Sequence, residues 1–403
     1  MLMFNEIGFL EDPLQKCAEV VASDRARPYL FIGSSDKEAD AFVSIAEGHG
    51  FTRPEEGVVC NGIKCSSKRA HLSHLLADGK NAAIWGGLFN TCDDAMLKAI
   101  WYNGYTLISH GDSIFWADRI EKYNAANIDE AIRRKQLIAV AQDTYMLSPA
   151  HRAEYVLNMT GIPPVTYNNR LLTILSAGGR SEMFWSPQPY FINAFRTAHI
   201  FHHMPAASSL ASYLQVFGGQ SKLESYGGNQ TLASLLRIVN DAKFNEKGED
   251  AGAYTTRWYL KEKSAVEDVF KEMRNVLLQA ESGSEKSGLV AYALPNEVLK
   301  NLKVGEMRAV FRGRGFPAIP GADCGDYSSA RVLCYCANTH FPLASAGYFR
   351  GNGIAFNQDA YALYHMLRWI SRSAIQNGEP VTIYVPSKRM RTLLENWVEE
   401  QTA

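Results

Sequence analysis

Apolar residues recur at i, i+3 and i+4 spacing in four stretches, Asp129 to Met146, Thr231 to Ala242, Ser264 to Ala280 and Ala360 to Ile375. That period predicts amphipathic helices. Capping residues stand where such helices would begin. Asp129 opens the first, Ser264 precedes the acidic pair Glu267 and Asp268, and Asn357 or Asp359 opens the last. Strand signals are short, Tyr29 to Ile32 and Val381 to Val385, and suit minor hairpins. The pattern therefore predicts a mainly α protein of two helical lobes. Two Gly-Gly pairs flank a polar stretch at Gly218 to Gly228 and mark a hinge, with loops at Asn245 to Gly252 and Ser282 to Gly288. The division expected is an N-terminal arm (residues 1–25), an N-terminal lobe (26–228), a C-terminal lobe (229–378) and a C-terminal arm (379–403).

Composition fits that division. A chain of 403 residues with 46% apolar content exceeds what a single core usually serves. Charged residues (21%) and aromatic residues (11%) are those of an ordinary globular protein. The net charge of -1 excludes a simple polycationic coat, so any nucleic-acid site must be local. No apolar run reaches the roughly 18 residues of a membrane span, and no basic flank precedes a hydrophobic run at the N-terminus. The expectation is a protein neither secreted nor inserted in a membrane. Seven scattered cysteines, an odd number, favour a reducing compartment. No repeat of fixed period is visible.

Candidate chemistry is sparse. Cys60, Cys65, His71 and His74 are zinc-ligand types within fifteen residues, but the spacing suits no finger, and Lys68 and Arg69 oppose a dication. No metal is assigned. Cys334 and Cys336 have no second pair nearby. A nucleophile elbow, a Walker A loop and a dinucleotide fingerprint are all absent from the sequence, so neither a catalytic residue nor a cofactor is assigned. His202 and His203 form a conspicuous pair with no carboxylate placed by sequence to orient either ring. Basic residues are more informative. Arg133, Arg134 and Lys135 sit on one predicted helix, with His151 and Arg152 farther on. A second concentration, Lys300, Lys303, Arg308, Arg312 and Arg314, ends in a glycine-rich segment that lets backbone approach a phosphate. In the third, Tyr348, Phe349 and Arg350 precede Gly351-Asn352-Gly353, where a ring could stack on a base beside a phosphate-gripping guanidinium.

In the C-terminal third, Phe341-Pro342, Ser345, Phe349-Arg350-Gly351 and Asn357-Gln358-Asp359-x-Tyr361 stand in a fixed order. Upstream come Pro189-Tyr190-Phe191-Ile192-Asn193-Ala194-Phe195 and His151-Arg152-Ala153-x-x-Val156-Leu157. In order and spacing this layout resembles the nucleoproteins of the Mononegavirales, those of pneumoviruses most, with echoes of paramyxoviruses and bornaviruses. The resemblance implies two helical lobes with an RNA-binding cleft at the hinge and arms that dock on neighbouring protomers. It places Arg152 and Arg350 on phosphate, Phe349 against the RNA, and Lys135 or Arg134 on the N-terminal helix. His151 stands where the family has a second arginine.

On that basis the expected function is sequence-independent encapsidation of single-stranded viral RNA by an oligomer, without enzymatic activity. The expected partners are the RNA, further copies of the chain, and the viral phosphoprotein and polymerase, with no membrane. The expected locations are the virion and the host cytoplasm or nucleus. Two alternatives remain open at this level: a cytosolic α-rich enzyme, with or without zinc, and an unrelated RNA-coating filament or capsid protein.

Overall fold

The computed structural model describes residues 1–113, 118–120, 125–141, 143–148, 170–177, 180–187, 189–216, 221–225, 228–261, 267–275, 290–301, 314–319, 325–354 and 356–402. The chain divides into two compact units. The first comprises Met1–Ile7, Asp12–Tyr226 and Pro342–Phe356; the second comprises Gly8–Glu11, Gly227–Phe341 and Asn357–Ala403.

The first unit is built on a six-stranded sheet of β1 (Leu2–Glu6), β2 (Tyr29–Gly33), β3 (Ala82–Trp85), β4 (Thr106–His110), β5 (Thr197–His202) and β6 (Ser221–Ser225). Every pairing is parallel, in the order β6-β1-β5-β4-β2-β3. Most of its strands carry apolar side chains on both faces, as a parallel sheet covered on both sides requires. Helices α1 (Pro13–Ser23) and α2 (Asp36–Ile45) cover one face. There Cys17, Val21 and Phe42 pack on Phe31, Ile108 and Phe201, and the Phe31 and Phe42 rings stack at 3.9 Å. Helices α3 (Lys68–Ala77) and α4 (Asp94–Asn103) pack together and bury Leu72, Leu76, Met96 and Ile100. Between β4 and β5 the chain builds a five-stranded antiparallel sheet from Asp118–Ile120, Leu137–Ala141, Thr144–Leu147, Arg170–Ala177 and Arg180–Pro187. The helix α5 (Ala125–Arg133) packs there, burying Ile128 and Ala131. After β5 comes α6 (Ser209–Val216), and α7 (Leu343–Gly351) also belongs to this unit.

The second unit repeats the plan. Its strands β7 (Leu236–Val239), β8 (Val290–Leu294), β9 (Arg314–Pro317), β10 (Val332–Tyr335) and β11 (Val381–Tyr384) are all parallel, in the order β7-β11-β10-β8-β9. Counted along the chain this is 1-5-4-2-3, the order that β1 to β5 follow in the first unit. One core joins Phe244, Tyr254, Tyr259, Met273 and Cys334. Helices α8 (Gln358–Ile370) and α9 (Lys388–Thr402) complete the unit, and Tyr327 donates its hydroxyl proton to the buried Trp369 carbonyl at 2.7 Å.

The expectation of a mainly α protein of two helical lobes is therefore wrong. The physical reason is that short central strands buried on both faces lack the alternation that marks a half-exposed strand. Tyr29–Gly33 and Val381–Tyr384, expected as minor hairpins, are interior strands of the two sheets. The expected helix Asp129 to Met146 ends at Arg133, and Leu137–Ala141 and Thr144–Leu147 follow as strands. The expected helix Thr231 to Ala242 is the short helix Gln230–Leu235 running into β7. Of Ser264 to Ala280, residues 267–275 are described, and they are helical. The last long helix is present as α8, capped by the Asn357 side chain on the Ala360 N–H. Residues 1–25, expected as an arm, hold β1 and α1, and residues 379–403 hold β11 and α9.

Because Phe31 is fully buried on the sheet face that α1 and α2 cover, Phe31→Ala is expected to destabilise the protein by about 3–5 kcal/mol. Equilibrium urea unfolding monitored by circular dichroism measures this.

Candidate functional site at the carboxyl edge of the first sheet

In an open parallel sheet, connections from neighbouring strands that leave toward opposite faces open a crevice beyond their carboxyl ends. The order 1-5-4-2-3 fixes where this falls. The chain moves one way across the sheet from β1 through β2 to β3 and then returns through β4 to β5. Right-handed crossovers put the outward connections on one face and the returning ones on the other. The switch therefore lies between β2 and β4.

An ionisable pair occupies that point. His110 ends β4, and Glu38 stands in the first turn of α2, directly after β2. The imidazole Nε2 lies 2.8 Å from Glu38 Oε1, with both side chains largely buried. The other carboxylate oxygen accepts the Ser34 hydroxyl at 2.7 Å and the Ser34 backbone N–H. Burial works to raise the Glu38 pKa, but hydrogen bonds and charge from His110, with the two Ser34 donors, outweigh it and bring it to about 2. Glu38 is thus a fixed anion in ion-pair contact with the histidine ring.

The surroundings fix this geometry. A Cβ on Gly33 would lie 3.0 Å from Glu38 Oε2, so the glycine leaves room for the carboxylate. Arg53 holds α2 in place: it pairs with Asp36 and, at 2.9 Å, with Asp40, and donates to the Ala83 carbonyl of β3. The turn after His110 is held by Asp112. That half-buried carboxylate accepts from Ser208 Oγ at 2.6 Å and from the backbone N–H groups of Ser209 and Leu210, which caps α6. A Cβ on Gly86, after β3, would sit 2.3 Å from the Ser113 carbonyl, so only glycine lets these two loops meet. Across the same edge the buried His202, at the end of β5, accepts the Met204 N–H on Nδ1.

The N-terminus of α1, where related folds cradle phosphate, is filled. Asp12 caps it, accepting from the Leu14 N–H at 2.9 Å, and Pro13 opens the helix. A carboxylate in that position opposes a bound anion. In the second unit the corresponding strand ends carry Pro295 after β8 and the buried Cys336 after β10. Arg389, in the first turn of α9, spends its guanidinium on Asp359, Asn338 Oδ1 and the Thr339 carbonyl.

Those of the residues expected to bind RNA that are described fall elsewhere. Arg134 is exposed and paired with Glu130 just after α5, and Lys135 follows it, exposed, with φ 56°. Tyr348 and Phe349 are not exposed stacking platforms on a turn. They are buried in α7, where Tyr348 reaches Ser186 Oγ and Phe349 stacks on Phe356, while Arg350 beside them is exposed. Arg314 opens β9 in the second unit. His151, Arg152 and Arg312 lie outside the described residues. Of the zinc-type residues, Cys60, His71 and His74 line one cavity of about 610 Å³, and His71 Nδ1 accepts the Glu55 N–H. No group of three potential metal ligands converges among the described residues. Sequence reasoning missed Glu38 and His110. Ser35-x-x-Glu38 has the form of a helix capping box, which conceals the second role of the glutamate.

The fold defines a protein of the parallel α/β class. Residues 230–398, most of the second unit, match the family model described as the YonV C-terminal Rossmann-like domain. Over 174 residues the chain is 32% identical to the SPbeta prophage-derived uncharacterized protein YonV of Bacillus subtilis (strain 168). That stretch is 40% of this chain, and the chain spans 38% of the relative's length. Among solved structures it is similar to an XPD helicase (9% identity, TM-score 0.47, 98% of this chain and 94% of that one). It is also similar to a DEAD box protein from the hyperthermophile Methanococcus jannaschii (10% identity, TM-score 0.31, 100% of this chain and 86% of that one). Likenesses so slight carry no functional argument.

These findings overturn the resemblance to Mononegavirales nucleoproteins. The C-terminal motifs that carried it fall inside the stretch matched by the Rossmann-like family. Physically they are a helix cap at Asn357 and the buried aromatics of α7. The nucleocapsid function expected from the resemblance is withdrawn. The expectation of a non-enzymatic scaffold rested on the same resemblance and is withdrawn with it, in favour of the parallel α/β architecture.

The low value of Glu38 makes a pH prediction with a definite sign. A carboxylate held below its ordinary value of 4.5 stabilises the fold above that pH, and the contribution is lost as pH falls toward 2. Thermal melts between pH 2 and 6 should therefore show a steeper acid loss for the wild type than for Glu38→Gln. Parallel curves would refute the assignment.

Proposed function

We propose that this chain is an enzyme whose acid–base centre is His110, held by Glu38 at the carboxyl edge of the first sheet. The observation that carries the reading is the Glu38–His110 pair at 2.8 Å, seated at the switch point between β2 and β4. Strongly perturbed ionisable groups cluster at functional sites. The reaction class that fits is hydrolysis or transfer by general-base catalysis. With Nε2 facing the Glu38 carboxylate at 2.8 Å, Nδ1 is the nitrogen left to take a proton from water or a hydroxyl as it attacks an electrophilic centre. Glu38 offsets the charge of the imidazolium so formed, and the proton then passes to the leaving group. Ser34 orients the carboxylate and is not the nucleophile, because its hydroxyl proton is directed at Glu38 and not at the histidine.

The test is a screen of the purified chain against carboxyl esters, amides, phosphomonoesters and phosphodiesters. The expected outcome is turnover of one class, reduced about 10²- to 10⁴-fold in His110→Gln and unchanged in Lys222→Ala, at an exposed site on the edge strand β6. Hydrolysis of no class, or activity that survives His110→Gln, would sink the proposal.

A further inference from the structure

Beneath α1, away from the Glu38–His110 pair, the first unit holds a cavity of about 470 Å³. It lies in the size range of small-molecule sites. Its floor is the sheet face that also packs α1 and α2. By the strand register, Asn5 is opposite Phe201 on that face, and Thr106 of β4 is opposite Tyr29 of β2. A floor between a helix and a parallel sheet is normally apolar. Here Asn5 is fully buried, and neither its amide nitrogen nor its carbonyl oxygen has a hydrogen-bond partner among the described residues; the same holds for the hydroxyl of Thr106, which is 2% exposed. Leaving such groups unsatisfied is destabilising, and both line the cavity. His199 joins them, and burial lowers its pKa, which keeps the ring neutral.

The lining selects the chemistry of an occupant. The charges at the rim are matched, Lys16 with Glu19 and Arg27 with Asp24, so nothing there favours a net ion. What remains is one side-chain amide with a donor and an acceptor side by side, the Thr106 hydroxyl and a neutral imidazole, in a lining that also includes the rings of Phe201 and Tyr29. A planar heterocycle with an adjacent acceptor and donor on one edge answers an asparagine amide through two hydrogen bonds, and its faces suit aromatic walls.

We propose that the cavity beneath α1 binds an uncharged nucleoside through its base, with Asn5 reading the base edge and Thr106 and His199 completing the hydrogen bonds. This site is independent of the acid–base centre. Ligand would stabilise the folded chain by mass action.

The test uses the full chain at pH 7.5 with adenosine, guanosine, cytidine and uridine, each by thermal shift and isothermal titration calorimetry. At least one should raise Tm by several degrees at about a hundredfold excess over its Kd. Asn5→Leu should melt higher than wild type without ligand, since it removes an unpaired buried amide, and should weaken binding at least tenfold. Thr106→Val, a smaller change, should weaken binding in the same direction and guards against misfolding of the first variant. Absence of heat and of a Tm shift with all four nucleosides would overturn the proposal. So would undiminished binding by folded Asn5→Leu or Thr106→Val.

Discussion

A parallel sheet must carry its chain back across one face or the other between every pair of neighbouring strands, always with the same hand. That constraint organises both units. In the first, the turn-back between β3 and β4 leaves β2 and β4 adjacent but with connections on opposite faces, which opens the edge where Glu38 meets His110. Burial of the sheet under α1 and α2 gives the pair its low-dielectric surroundings, and Arg53, Gly33 and Asp112 set its geometry. The pair follows from the topology together with two residues of the right type at the switch between β2 and β4.

The second unit uses the same strand order to a different end. Its corresponding strand ends carry Pro295 and a buried thiol, and its edge charges are spent on one another: Arg389 on Asp359 and Asn338, Arg391 on Glu249 and two carbonyls. Such a network holds loops in place and leaves little for a substrate. Two sheets of one order thus differ at their switch points: the first carries the Glu38–His110 pair, and the second, among the described residues, carries Pro295 and the buried Cys336.

The nucleoprotein resemblance failed for a physical reason. Asn357-Gln358-Asp359 is a run that many helices use, because an asparagine side chain satisfies a free N–H at the first turn. An arginine beside aromatic residues also reads alike on an exposed turn and on a helix. In α7 the helical period carries Arg350 to the surface while Tyr348 and Phe349 face the interior. Order and spacing of such signals reflect the needs of helices in general, and so they recur without common descent.

By itself the sequence determined what depends on near neighbours. Asn357 capping α8, the helical periodicity of residues 267–275, and the strand character of Tyr29 to Ile32 and Val381 to Val385 were legible because each is set within a few residues. Only the tertiary structure decided which strands are central, that two sheets share one order without any repeat in the sequence, and that His110 lies beside Glu38, 72 positions earlier. The same holds for Asn5 and Thr106, which face one cavity from strands a hundred residues apart. Parallel pairing joins residues through long crossovers, so the contacts that make a site are written in the topology and not in any local pattern.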